Sequence, residues 1–197
     1  MRVSHPVRMG NHLPLILILL LALLLLSATG SLQSQSEPVP SNAVQGIIKA
    51  FDQFPLVAIG ELHGQREDKD FLVSLIKSPE FSAKVDDIAV EFGNALYQPI
   101  LDRYVAGDPA PIKELREVWR NTTILTGVWD APIYQQFFAE VRDLNQTLRR
   151  SRRLRVLAGD PPIDWSKIRD LTDATPFLGA RDSYFASMIE KEVLAKG

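Results

Sequence analysis

Past residue 40 the apolar positions follow two rhythms. Three short apolar runs read as buried strands: Phe54 to Ile59, Ile88 to Val90 and Leu154 to Ala158. Elsewhere apolar residues recur at helical spacing. Val44, Ile47, Ile48 and Phe51 mark a first helix, with Ser41 as its N-cap and Pro55 as its stop. Phe71, Leu72, Leu75 and Ile76 mark a second, ended by Pro79. From Ala95 to Ala106, Leu96, Ile100 and Tyr104 form one row and Tyr97, Leu101 and Val105 the next. Gly107 stands where a C-terminal cap belongs, and Pro109 and Pro111 prevent continuation. Pro111 to Trp119 predicts a short helix. Ile133, Phe137, Val141, Leu144 and Leu148 predict a long amphipathic one. Trp165 to Leu171 and Asp182 to Leu194 read as helical again.

Strands alternating with helices favour an α/β fold, a parallel sheet covered by helices. Three strands are a thin sheet for this much helix, and a helix ending in Gly ordinarily feeds another strand. The expectation for residues 41–197 is therefore an incomplete α/β domain, truncated at its carboxyl end. No internal repeat is visible.

The amino terminus has a different rhythm. Arg2 and Arg8 precede the apolar run Leu15 to Leu26, and Ser27, Ala28, Thr29 and Gly30 follow it. Basic region, short apolar region and small residues are the order of a secretory signal peptide, here 1–30, with an uncleaved N-terminal anchor as the alternative. Residues 31–40 are rich in Ser, Gln and Pro and read as a flexible tether. The expected location is exported, periplasmic or secreted, with membrane contact only through the N-terminal segment.

Composition narrows the chemistry. The chain of 197 residues is 46% hydrophobic and 23% charged, ordinary for a globular domain with a real core. Its formal net charge is -2, and removing residues 1–30 deletes two Arg and no acid, leaving -4. Nucleic acid is not an expected partner. With no cysteine, disulfides, thiolate catalysis and thiolate zinc sites are excluded. The sequence also lacks a Gly-x-Ser-x-Gly elbow, a phosphate-binding Gly/Lys loop, a His-Glu-x-x-His and a dinucleotide fingerprint.

Each apolar run leads to an acid. The first enters Gly60-Glu61-Leu62-His63-Gly64, the second Glu91-Phe92-Gly93, the third Gly159-Asp160-Pro161-Pro162. In a parallel sheet these strand ends share one edge, where ligands bind. Glu61, His63, Glu91 and Asp160 are therefore expected to converge. Glu61 and His63 stand two apart, so in extended chain they point the same way. A carboxylate and an imidazole so placed form either an acid/base pair or two metal ligands. The plain reading for Glu91 is a structural ion pair with an Arg, such as Arg103; for Asp160 it is turn chemistry before proline. Glu67, Asp68 and Asp70 suit the start of a helix, and Glu67 is the one expected nearest the site. Arg149, Arg150, Arg152, Arg153 and Arg155 read as a solvated helix end. Asn121-Thr-Thr and Asn145-Gln-Thr match the glycosylation pattern.

Val57-Ala-Ile-Gly-Glu-Leu-His-Gly64, Ile88-Ala-Val-Glu-Phe-Gly93 and Tyr97-Gln98 with Leu101 to Gly107 resemble the superfamily that contains erythromycin esterases, ChaN-like haem-binding proteins and Tiki/TraB-type proteins. Its members share a Gly-x-x-His after a first strand and a Glu after a second, positions held here by Gly60, His63 and Glu91. The Gly-Glu-x-His form is that of the erythromycin-esterase and ChaN-like branches. The resemblance covers about residues 55–107 and lacks the second His-containing motif of a later half. It implies one of two chemistries. In a hydrolase, esterase- or metallopeptidase-like, His63 activates water with Glu61 and Glu91, on a small-molecule or peptide substrate. In a haem- or iron-binding protein linked to iron uptake, His63 or Tyr97 supplies an axial ligand. A divalent metal (Mn, Mg or Fe) would take Glu61, His63, Glu91 and Asp160. A third expectation is an inactive truncated remnant.

Overall fold

A computed structural model of the chain describes residues 41–124 and 126–196. The predicted signal segment 1–30 and tether 31–40 lie outside the described residues. Among the described residues, no helix is long and apolar enough to cross a membrane.

The described chain runs α1 (Ala43–Ala50), α2 (Arg66–Ile76), α3 (Phe81–Lys84), β1 (Asp87–Asn94), α4 (Gln98–Ala106), α5 (Ile112–Arg120), α6 (Pro132–Thr147), β2 (Arg155–Asp160), α7 (Leu171–Gly179) and α8 (Arg181–Glu192). The fold is mixed α/β, with β1 and β2 paired in parallel. Two of the eight described helices, α1 and α7, begin on a side-chain cap, and α4 ends on a glycine cap. The α1 N-cap is Asn42 rather than Ser41, its side chain accepting from Gln45 N at 3.2 Å. Gly107 closes α4 at φ 105°, a conformation that only glycine adopts freely. Trp165 to Leu171 is a correction. It holds one 3-10 turn, Trp165–Lys167, and the helix begins after it, where the Asp170 carboxylate accepts from Thr172 N and Asp173 N.

A second correction concerns Phe54 to Ile59. The segment has no regular secondary structure and pairs with no strand among the described residues. Phe54, Leu56 and Ile59 are 56%, 44% and 42% exposed, so the run is not buried. Apolar character makes burial favourable, but a strand also needs a ladder partner, which periodicity does not report.

The core lies over one face of the strand pair. Val90 and Phe92 from β1 and Val156 and Ala158 from β2 join Leu101 and Val105 of α4, Leu115, Val118 and Trp119 of α5, and Phe137, Phe138 and Val141 of α6. The Phe92 ring is the hub, with ring centroids of Tyr134, Phe138, Phe137 and Trp129 at 4.7, 5.4, 5.7 and 6.0 Å. Side chains alternate along a strand, so Gly159 turns away from that core. There it meets α8: a Cβ added at Gly159 would fall 2.0 Å from the Phe185 ring. Only glycine permits this approach.

Polar groups finish the frame. The Gln98 amide donates to Val156 O and accepts from Ala158 N, both at 2.7 Å, satisfying β2 as a neighbouring strand would. Asn145, 1% exposed, accepts from Leu154 N and donates to Leu154 O and Val105 O. It is therefore a buried staple, closed to glycan transfer in the folded chain. Arg149, Arg150, Arg152 and Arg155 of the Arg cluster are exposed as expected, but Arg153 and Arg155 also tie elements together. Arg155 grips Asp87 with two hydrogen bonds, of 2.5 and 2.8 Å, across the start of the strand pair, and Arg153 donates to Ala106 O.

Candidate functional site

The strand pairing breaks where the chemistry begins. Register holds from Asp87↔Arg155 to Val90↔Ala158, then resumes at Asn94↔Asp160. Glu91, Phe92 and Gly93 of β1 thus stand against Gly159 of β2, and Glu91 is the first residue of that irregularity. Bulges of this kind re-aim side chains at strand ends. The motif carrying Glu61 and His63 follows the irregular segment Phe54 to Ile59. Its turn is closed by Gly64 at φ 80° and by the Asp68 carboxylate, which accepts from Leu62 N at 2.7 Å. Asp68, not Glu67, is thus the helix-start acid that supports the site.

Glu61, His63 and Glu91 come together. His63 Nδ1 lies 3.2 Å from Glu61 Oε1, and His63 Nε2 lies 3.6 Å from Glu91 Oε1. The first is a hydrogen bond; the second is too long for one. Glu61 is itself held: Tyr134 Oη donates to Glu61 Oε1 at 3.1 Å and accepts from Gly64 N at 2.8 Å. Burial, the larger cause, and the charges of Glu61 and Glu91 push the Tyr134 phenol well above its ordinary value, so it stays a neutral donor. The Trp129 ring meets the imidazole edge-on at 4.6 Å between centroids and limits its rotation.

Asp160 joins through an intermediary. It is 1% exposed, with Oδ2 accepting from Thr123 N at 2.7 Å and Oδ1 from Thr123 Oγ1 at 2.5 Å. Arg181 Nε reaches Asp160 Oδ1 at 3.3 Å, and Arg181 Nη2 donates to Glu91 Oε1. Burial raises the Asp160 carboxyl above its ordinary value, opposed by the Thr123 hydrogen bonds and then by Arg181. The ion pair foreseen for Glu91 therefore exists, but with Arg181 and not Arg103. Arg181 and Tyr134 were not legible as site residues. Each is one residue of an ordinary helix, brought in by packing.

The donor set does not fit the expected metal cage. Among the described residues no group of three or more His, Asp or Glu side chains is arranged to hold an ion. Each imidazole nitrogen faces a carboxylate, and the fourth candidate, Asp160, is committed to Thr123 and Arg181. Two clefts lie nearby, one of about 90 Å³ lined by Glu91, Gly159, Arg181, Asp182 and Phe185 and one of about 210 Å³ between Trp119 and Asp130, and neither is lined by His63 or Tyr97. Tyr97, the other candidate axial ligand, accepts through Oη from Asn121 Nδ2 at 2.9 Å.

Comparison with known protein families, with curated proteins and with solved structures finds no match. The reading of this site thus stands on its own geometry.

Proposed function

We propose that the chain is a hydrolase-like domain in which His63 is the general base for water, without a metal. The observation that supports this most strongly is the ordered row Tyr134–Glu61–His63. A carboxylate accepting at Nδ1 places the proton there and leaves the lone pair on Nε2. Nε2 makes no hydrogen bond among the described residues, and the side chain that carries it is 38% exposed. Taking a proton turns the ring into an imidazolium. Glu61 on one side and Glu91 on the other then stabilise the new charge. A base, its orienter and a lock on the orienter are the parts that activate water toward a carbonyl.

The substrate class is an ester or amide, small-molecule or peptide, in keeping with the esterase side of the Gly60-Glu61-Leu62-His63 resemblance. The ChaN/erythromycin-esterase-like fold belongs to the same proposal. What supports it is a parallel strand pair whose ends carry the chemistry, with an apolar run, Phe54 to Ile59, of the kind a wider sheet covers. Export through residues 1–30 is part of the proposal as well.

The test is a hydrolysis screen over simple esters and short peptides, followed by His63→Ala. General-base work contributes about 10²- to 10⁴-fold, and a loss of that size is expected in kcat at unchanged fold. An activity that His63→Ala leaves intact would refute the assignment.

A further inference from the structure

Arg181 lies where an ion would have to bind. A divalent cation set between Glu91 and Asp160 would compete for Glu91 Oε1 and Asp160 Oδ1, the two oxygens that the guanidinium contacts. Mg²⁺ and ions of its size demand oxygens at roughly 2.0–2.1 Å in near-octahedral array. Thr123 donates to both Asp160 oxygens through backbone and hydroxyl, and so fixes that carboxylate beside the guanidinium. Nor is the guanidinium loosely placed. It stands on the first residue of α8, one turn from Phe185, whose ring is seated on Gly159. Its side chain is 25% exposed, against 0% for the Asp160 side chain. The electrostatics run the same way. Glu61, Glu91 and Asp160 bring carboxylates to one strip, and a permanent cation among them offsets their mutual repulsion. An ion placed beside that guanidinium would be repelled by it.

We infer that Arg181 is the resident cation of this site. Its guanidinium takes the place between Glu91 and Asp160 that a divalent metal would occupy, holds Glu91 within reach of His63, and thereby keeps the site metal-free. Arg181 is a positioning residue in this scheme. The inference concerns the same side chains as the hydrolase reading but does not depend on which bond is broken, and it is tested without a substrate.

The experiment is titration of the purified protein with Mn²⁺, read as loss of the free-ion signal in electron paramagnetic resonance. Wild type, Glu91→Gln, Arg181→Met, Arg181→Lys and the double variant Arg181→Met/Glu91→Gln are compared, with circular dichroism to confirm folding. Wild type and Arg181→Lys are expected to show no uptake that depends on Glu91. Arg181→Met is expected to bind one Mn²⁺ at least about tenfold more tightly than wild type, and adding Glu91→Gln to remove that binding. A wild-type site that takes up Mn²⁺ and loses it on Glu91→Gln would overturn the inference, whether or not Arg181→Met folds. A folded Arg181→Met with no gain would overturn it equally. A failed hydrolysis screen beside the expected Mn²⁺ result would count against the hydrolase reading alone.

Discussion

At the scale of single residues, the site is a row of proton donors and acceptors in which each member fixes the next. Tyr134 is the least conspicuous and the most testable. Tyr134→Phe keeps the ring against Phe92 and Trp129 but leaves Gly64 N–H and Glu61 without their shared partner. It is expected to cost about 1 kcal/mol in urea unfolding and to lower kcat more than it changes KM. Asp160 carries the pH signature. Its carboxyl is raised in the folded chain above the 3.8 of the free side chain, so the folded state favours the protonated form. That stability is present below pH 3.8 and is lost as pH rises through the raised value. Relative to Asp160→Asn, the wild-type protein is therefore expected to lose stability on going upward from pH 3.8, measured by urea melts across that window. Glu61, His63 and Glu91 were legible because each follows an apolar run that reads as a strand in the sequence. Arg181 was not: it contacts Glu91 from 90 positions away, and nothing local distinguishes it from other surface arginines.

At the scale of elements, the placement of α8 on β2 decides whether Arg181 arrives. Gly159 is the contact point, and Phe185 is its complement. Gly159→Ala forces a Cβ into the ring and is expected to destabilise by about 1–3 kcal/mol. Raised hydrogen exchange along α8 is expected to accompany it. Phe185→Ala in the same chain is expected to return part of that loss; a double variant no better than the single would place the strain elsewhere. Most helices were legible, since 3.6-residue spacing, Pro stops and the Gly107 cap all pointed one way. The shift of the helix expected over Trp165 to Leu171 has a plain cause. Asp164 and Asp170 both offer capping carboxylates, the first stops at one turn, and Pro176 masks the helix that follows the second.

At the scale of the whole molecule, the sequence pattern conveys an α/β class and the parallel pairing of two of its runs, but not the fate of the third. Phe54 to Ile59 has the composition of a buried strand, yet among the described residues it pairs with no strand and is largely exposed. Composition reports how much a run gains from burial, not whether a partner edge is there to receive it. Leu56→Thr and Ile59→Thr are accordingly expected to cost within about 0.5 kcal/mol each. Matched changes at Val90 and Val156, 6% and 0% exposed, are expected to cost several-fold more. Equal losses at all four positions, read by urea unfolding, would mean that the run is buried in solution.

Everything proposed for this site turns on which imidazole nitrogen of His63 holds the proton. His63 is the only histidine outside residues 1–30, so long-range ¹H–¹⁵N correlation on a chain beginning after residue 30 reads it without ambiguity. With the ring neutral, the proton is expected on Nδ1, facing Glu61, and the lone pair on Nε2. A proton found on Nε2, facing Glu91, would leave no base where water can reach it and would contradict the account.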